Sequence, residues 1–307
     1  MSKKPSLAVE LCSSRMRNPL VLASGIWGLT GGNLVRAAKD GAGAVTSKSC
    51  SREPRKGYGN PAIVEWDNAM LNAVGLSNPG VQEMKEEIAF AVKNAGAPVI
   101  ASAFGYTFED YAFVCGQLAS VKPALIEIDI SCPHHMPGGK IEKPFACVPA
   151  DAAKVTEAAK NACGKVPLAV KLSPNVSDVA EVAKAVEGAG ADAICAINTL
   201  KAMVIDVEAR RPVLANKVGG LSGPAIFPVA LRAVYDVRRA VEIPIIGTGG
   251  VTTGKDAVAM LMAGANAVGV GSAIAFRDNA FARIAEEMEI FMRENNYSKV
   301  SELKLEE

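Results

Sequence analysis

Several kinds of residue are scarce in this chain of 307 residues, and each shortage closes off a class of function. Histidine occurs twice, side by side at His134 and His135, which is no basis for a histidine metal centre. None of the seven cysteines (Cys12, Cys50, Cys115, Cys132, Cys147, Cys163, Cys195) forms a C-x-x-C pair, so no zinc or iron–sulfur thiolate cluster is expected, and no metal. An odd cysteine count in a chain this long argues against a disulfide framework and for a reducing, cytoplasmic setting. Charge of one sign is missing too: 33 Lys and Arg face 32 Asp and Glu, leaving no electrostatic footprint for nucleic acid. Charged residues break every apolar run before the roughly 18–20 residues that span a membrane. The basic start Met1–Ser6 has no apolar stretch behind it, so a signal peptide is not expected either. No G-x-G-x-x-G follows a predicted strand and no G-x-x-x-x-G-K-[ST] occurs, which removes the main support for dinucleotide and P-loop sites.

Small and branched apolar residues are abundant instead, and half the chain is hydrophobic with only 5% aromatics. Short apolar runs predict strands at Leu20–Ser24, Gly43–Ser47, Pro98–Ala103, Ala124–Ile130, Pro167–Leu172, Ala191–Ile197, Pro244–Gly247 and Ala265–Gly269. They are continuous rather than alternating, as parallel strands covered on both faces are. Helical periodicity marks Gln82–Asn94, Pro149–Asn161, Val179–Glu187, Ala225–Val241, Lys255–Ala263 and Asn279–Glu294. Gly41-Ala42-Gly43-Ala44, Gly190-Ala191-Asp192-Ala193 and Gly264-Ala265-Asn266-Ala267 repeat one helix-to-strand junction in phase with the strand count. The expectation is an α/β fold: a single (β/α)8 TIM barrel domain over 1–307, with loop insertions over its C-terminal face. A doubly wound sheet is the alternative. The insertions are Ser51–Leu76, which lacks clear periodicity, and Ser131–Val148.

Candidate chemistry gathers at the predicted strand ends. Gly247-Thr248-Gly249-Gly250 and Gly269-Val270-Gly271-Ser272 follow the seventh and eighth strands, where barrels often cradle a phosphate with backbone N–H groups. Plain turn glycines are the other reading. Gly219–Pro224 adds a third glycine-rich loop on the same rim. Lys48 and Lys171 stand at the ends of apolar strands, an expensive place for a cation unless it meets an anion or reaches water. Asn72 and Asn198 can donate and accept at once, which suits a planar amide or imide. Cys132 opens a loop after a central strand, unlike the other six cysteines, and could act as nucleophile or general base, with His134 beside it.

These residues sit in longer stretches: Asn18–Gly25, Thr46-Ser47-Lys48-Ser49, Met70–Gly80, Ser131-Cys132-Pro133, Val170–Val176, Ile197-Asn198-Thr199, Gly219–Ile226 and Gly249-Gly250. In that order they closely resemble the catalytic subunit of class 1 dihydroorotate dehydrogenases, most of all class 1B, along nearly the whole chain. The resemblance implies an FMN barrel that oxidises dihydroorotate to orotate in pyrimidine biosynthesis. FMN contacts map onto Ser24, Lys48, Ser49, Asp129, Lys171, Ile197, Gly223, Gly249, Gly250, Gly271 and Ser272. Substrate contacts map onto Lys48, Asn72, Ala73, Val74, Gly75, Leu76, Asp129, His134, Asn198 and Thr199. Cys132 falls where class 1 enzymes hold their general base, under a Ser131–Val148 lid, and Lys171 where negative charge on the reduced flavin would be stabilised. The resemblance further implies a homodimer and a separate electron-transfer subunit with FAD and a [2Fe–2S] cluster, passing electrons to NAD.

Three positions depart from the asparagines of that family: Ser102, Asp129 and His134. Ser-Cys-Pro-His is also similar to the uracil-reducing barrel domain of dihydropyrimidine dehydrogenases, which keeps asparagine at the Asp129 position. A second enzymatic reading is therefore an FMN-dependent oxidoreductase of another dihydropyrimidine or related conjugated substrate. A flavin-binding subunit without turnover is the non-enzymatic one.

Overall fold

The computed structural model describes residues 4–131 and 144–306, together with the backbone of 134–135 and 141–142. Every predicted apolar run becomes a strand: β1 (Leu20–Leu22), β2 (Ala44–Thr46), β3 (Val99–Ala103), β4 (Leu125–Asp129), β5 (Leu168–Lys171), β6 (Ala193–Ala196), β7 (Ile245–Thr248) and β8 (Ala267–Val270). Each pairs in parallel with its neighbours in chain order, and β8 pairs back onto β1 through Val268–Leu20 and Val270–Leu22. The ring is closed, so the doubly wound sheet is excluded.

The outer helices are α1 (Gly31–Lys39), α2 (Val81–Asn94), α3 (Phe108–Ala119), α4 (Pro149–Cys163), α5 (Val179–Gly188), α6 (Phe227–Arg238), α7 (Gly254–Met262), α8 (Ala273–Phe276) and α9 (Ala280–Glu294). Periodicity in the sequence did not reveal α1 and α3. Helix α1 opens on two glycines, poor helix formers. The first of them is there for packing, since a Cβ on Gly31 would lie 2.5 Å from the Glu87 carbonyl of α2. Both helices carry a readable start signal all the same, because Thr30 and Thr107 each accept a hydrogen bond from the third helical N–H. The Gly-Ala junctions behave as expected: Gly41, Gly190 and Gly264 sit at φ +112°, +94° and +107°, just past helix ends.

Strand parity decides what fills the barrel. Side chains alternate along a strand, so one set lies between sheet and helices and the other points inward. The inward set starts with an apolar layer of Val21, Ala44, Ile100, Leu125, Ala169, Ala193, Ile246 and Ala267, one from each strand. An antiparallel hairpin of Val9–Leu11 and Ser14–Met16 packs Leu11 and Met16 against this layer and closes the floor. Two residues further along the strands, the same parity brings Thr46, Ser102, Glu127, Lys171, Cys195 and Thr248 inward, all buried. The barrel interior thus turns from hydrocarbon to polar within one layer, toward the C-terminal ends.

The two long excursions after β2 and β6 meet as one sheet. Strands Ile63–Trp66, Ala69–Asn72, Gly219–Ser222 and Leu200–Ala202 pair antiparallel, with Gly220 opposite Asn72 and Leu200 opposite Leu221. The segment predicted to lack regular structure therefore contains a hairpin. Its partner strands lie about 150 residues downstream, a pairing no local pattern announces. No helix among the described residues is long and apolar enough to cross a membrane.

Candidate active site

A chain of hydroxyls runs from the rim into the barrel. Ser24, just after β1, donates to the Ser47 carbonyl at 2.8 Å and lies 3.1 Å from the Ser49 hydroxyl. Ser49 lies 2.8 Å from Ser102, and Ser102 donates to the Glu127 carboxylate at 3.2 Å. Glu127 is only 2% exposed, so this carboxylate sits in the floor of the site rather than on its rim. Lys171, 5% exposed, is on the adjacent strand, level with Asp129 on one side and Cys195 on the other. Both Glu127 and Lys171 act on the Cys195 thiol, which lies on the strand beyond Lys171. Burial pushes that thiol up to about 12, Glu127 pushes it further the same way and Lys171 opposes. Cys195 therefore stays a neutral filler. The site floor combines a buried cation, a buried carboxylate and four hydroxyl or thiol groups.

Asp129 ends β4 and is also buried. Its carboxylate accepts from the Ser131 N–H at 3.0 Å and from the Ser131 hydroxyl. The Asn198 side-chain NH2 approaches both carboxylate oxygens, at 3.4 and 3.3 Å, and also donates to the Ser131 hydroxyl. Asn198 closes the arrangement by accepting from the Thr199 N–H at 2.8 Å. From below, the Tyr111 hydroxyl of α3 donates to the Asp129 carbonyl at 2.6 Å. An Asn-to-Asp change here thus comes with donors that meet the added charge.

The predicted site residues gather at this end of the barrel. Asn72 donates to the Gly220 carbonyl at 3.3 Å, and Gly220 has no side chain because a Cβ would lie 2.1 Å from the Thr199 hydroxyl. A Cβ on Gly250 would lie 2.8 Å from the Gly223 carbonyl oxygen, and Ile197 lies beside Gly249. Lys48 is half-buried at the end of β2, its N–H held by the Gly28 carbonyl at 2.8 Å. The far end of the Asn72–Leu76 stretch is held elsewhere: Val74 accepts from the Tyr58 N–H and Gly75 from the Arg55 guanidinium at 2.6 Å. Ala73, between them, is buried and Leu76 is half-buried. Gly271 and Ser272 follow β8 next to β1, with Ser272 buried. Cys132 lies outside the described residues, as does the side chain of His134.

Glycine placement has two physical causes here. At Gly249 (φ +136°) a Cβ would come within 2.6 Å of the Ala230 Cβ, and at Gly250 (φ +74°) within 2.7 Å of the Phe227 nitrogen. Both glycines are demanded by the close packing of this turn against α6, whatever else they do. Gly271 is different, with no protein atom nearer than 3.7 Å to the missing Cβ. Sequence reasoning passed over Glu127, Ser131 and Tyr111. For Glu127 the signal was available: it sits two residues before Asp129 and so shares its face of the strand.

A closed parallel barrel whose interior turns polar only at the C-terminal strand ends, with its long loops collected there, is the architecture of (β/α)8 enzymes. The family model described as dihydroorotate dehydrogenase matches residues 6–292. The chain is 45% identical over 298 residues to the catalytic subunit of dihydroorotate dehydrogenase B (NAD(+)) from Pyrococcus abyssi, covering 97% of each chain. It is 44% identical over 302 residues to the protein of the same name from Methanosarcina mazei, covering 98% of this chain and 95% of the relative. A third such subunit, from Trichlorobacter lovleyi, is 44% identical over 301 residues and 98% of each chain. The chain belongs to the dihydroorotate dehydrogenase family, a family of flavin-dependent oxidoreductases. The name catalytic subunit marks those relatives as one part of an assembly.

Proposed function

We propose that this chain is an FMN-dependent barrel enzyme, one domain over 1–307, that oxidises dihydroorotate to orotate. The observation that carries the reading is the buried Lys171 set between Asp129 and Cys195 at the one polar layer of the barrel. A cation placed there can also stabilise an anionic ligand or negative charge that develops during reaction. The relatives described above are all named for dihydroorotate, which favours it over dihydrouracil.

The residues fit FMN. A Cβ at Gly271, next to β1, would make only ordinary contacts with Ala23 and Ile26, at 3.7 and 4.0 Å, and hydroxyls of Ser24 and Ser49 lie on the neighbouring strand ends. Gly249, Gly250, Gly271 and Ser272 would hold the phosphate, with Ser24, Lys48, Ser49, Asp129, Lys171, Ile197 and Gly223 along the rest of the cofactor. When bound, FMN supplies the acceptor for the hydride leaving C6 of the substrate. Cys132, directly after Ser131 in the chain, takes the proton from C5. An ordinary thiol ionises near pH 8.5, so turnover rises toward that pH. Lys171 keeps positive charge where electron density accumulates, and Lys48 meets the substrate carboxylate. Asn72, Ala73, Val74, Gly75, Leu76, His134, Asn198 and Thr199 border the substrate. Electrons leave through a separate subunit with FAD and a [2Fe–2S] cluster to NAD, the chain itself forming a homodimer in the cytoplasm.

The test is anaerobic reduction of the FMN-loaded protein, followed by flavin absorbance, with dihydroorotate and then dihydrouracil. Bleaching by dihydroorotate is the expected result. Bleaching by dihydrouracil alone would replace the substrate, and bleaching by neither while dithionite still reduces the flavin would refute both.

A further inference from the structure

Strands β7 and β8 pair along their length, and the glycine loops that follow them are joined a second time beyond the strands. On the β8 side, Gly271 and Ser272 run straight into the single turn of α8. The Ile274 N–H donates to the Gly271 carbonyl at 3.2 Å, Ala275 to Ser272 at 2.9 Å and Arg277 to Ala273 at 2.8 Å. That turn delivers the Arg277 side chain, which forks. One guanidinium nitrogen donates to the Thr252 carbonyl at 2.6 Å, two residues past Gly250 in the loop after β7. The other donates to the Glu287 carboxylate of α9, also at 2.6 Å. The second oxygen of Glu287 accepts from the Gly254 N–H, the first of α7, at 2.6 Å. A Cβ on Gly254 would lie 2.4 Å from the Glu287 Cβ, so α7 starts hard against α9. Asp256 of α7 accepts from the Thr252 and Thr253 N–H groups at 3.0 and 2.8 Å. The segment 252–254 is thereby held by its own helix and, through Arg277 and Glu287, by the loop of the next strand.

Resting on the proposed function, we propose that Arg277 is a positioning residue for the cofactor phosphate. It clasps the Gly249-Gly250 loop to the Gly271-Ser272 loop, and so sets the spacing of two backbone segments that must meet one phosphate from different strands. Backbone N–H groups bind an anion best when they already point at it, because ordering them on binding subtracts from affinity. The ion pair with Glu287 does little for folding by itself, since the Arg277 side chain is 24% exposed and that of Glu287 37%. Its part is to anchor the guanidinium on α9. The bond to the Thr252 carbonyl then carries the coupling, because Thr252 belongs to the β7 loop and Arg277 to the β8 loop. Arginine suits the task, as its planar fork reaches a carbonyl and a carboxylate together, whereas an ammonium has no fixed fork.

The test titrates the full-length apoprotein with FMN and with riboflavin, which lacks the phosphate, by flavin fluorescence. Wild type, Arg277→Met and Arg277→Lys are compared, alongside denaturant unfolding with and without FMN. Arg277→Met is expected to weaken FMN about tenfold, the scale of one charge-assisted hydrogen bond, and to leave riboflavin within about twofold. Arg277→Lys keeps the charge without the fork and is expected to lose about threefold, on FMN alone. The unfolding midpoint of Arg277→Met should stay near that of wild type without cofactor and fall below it only when FMN is present. Unchanged FMN affinity in Arg277→Met would overturn the proposal. So would an equal loss for riboflavin, or an equal drop in midpoint with and without FMN, since Arg277 would then brace the site or the fold as a whole. If Arg277→Met yields no folded apoprotein, the same titrations of Arg277→Lys decide, and failure of both to fold would also overturn it. A wild type that binds no FMN would defeat the functional reading, whereas one that binds FMN no better than Arg277→Met would defeat this proposal alone.

Discussion

Two glycines at the barrel rim separate what the fold needs from what a ligand needs. Replacing Gly249 by alanine puts a Cβ 2.6 Å from the Ala230 Cβ of α6, on a backbone at φ +136°. That region of conformational space costs a non-glycine residue of order 1–3 kcal/mol, and overpacking against a helix adds roughly 1–3 kcal/mol more. Gly249→Ala is therefore expected to destabilise the protein by about 2–6 kcal/mol, even without cofactor. Replacing Gly271 puts the same methyl group 3.7 Å from Ala23 and 4.0 Å from Ile26, ordinary contact distances. Gly271→Ala should stay within about 0.5 kcal/mol of wild type in the cofactor-free protein. If FMN phosphate approaches the backbone there, its affinity should nevertheless drop about tenfold or more, since the methyl would stand between N–H and oxygen. The assay is denaturant unfolding of the apoprotein for all three chains, followed by fluorescence titration with FMN. Equal destabilisation by the two alanines would refute the packing argument. Undiminished FMN affinity in Gly271→Ala would remove that residue from the phosphate site.

Glu127→Gln takes a negative charge out of the site floor near Lys171, so it should raise the flavin midpoint potential by some tens of mV, at about 30 mV per 1.4 kcal/mol for two electrons. Lys171→Met should lower the potential, and spectroelectrochemical titration that found either shift absent or reversed would sink the electrostatic reading. Cys132→Ala should abolish most bleaching by dihydroorotate while leaving dithionite reduction intact; full retained activity would remove Cys132 as the base. Burial pushes the thiols of Cys50 and Cys195 up to about 12, and burial together with the Asp192 charge pushes Cys12 up to about 11. Below pH 9 these thiols are neutral in both states and cost nothing. Above it only the unfolded chain ionises, so stability falls as pH rises from 9 toward 12, by about 1.4 kcal/mol at pH 10 for each of the fully buried Cys50 and Cys195 and by less for the partly exposed Cys12. Melting curves between about pH 8.5 and 10.5 should fall less steeply for Cys50→Ala/Cys195→Ala than for wild type, and an identical slope would contradict this.

The barrel was legible from the strands outward. Runs such as Ala124–Ile130 and Pro167–Leu172 are apolar throughout because both faces of a parallel strand are covered, and the helix-closing glycines keep time with them. What such a run hides is its own parity. That Glu127 shares a face with Asp129 is readable in the spacing, but only the closed ring shows that this face points inward, beneath Asp129 and beside Lys171. The hairpin of Ile63–Trp66 and Ala69–Asn72 escaped for a different reason. Its pattern is weak because half of its pairing is with Gly219–Ser222, far along the chain.

The sequence by itself determined the order of the barrel strands and of most outer helices, the family, and the residue types available at each strand end, because these follow from local periodicity and from motifs contiguous in the chain. Tertiary structure alone decided which of those residues meet. Asp129 ends β4 and Asn198 follows β6, two strands along the ring, and their contact exists only once β4, β5 and β6 stand side by side. It also decided why individual glycines are glycine: at Gly249 the protein's own packing demands it, while at Gly271 a Cβ would meet nothing closer than ordinary contact among the described residues. Steric room is a property of atoms distant in sequence, and no reading of neighbours along the chain can supply it.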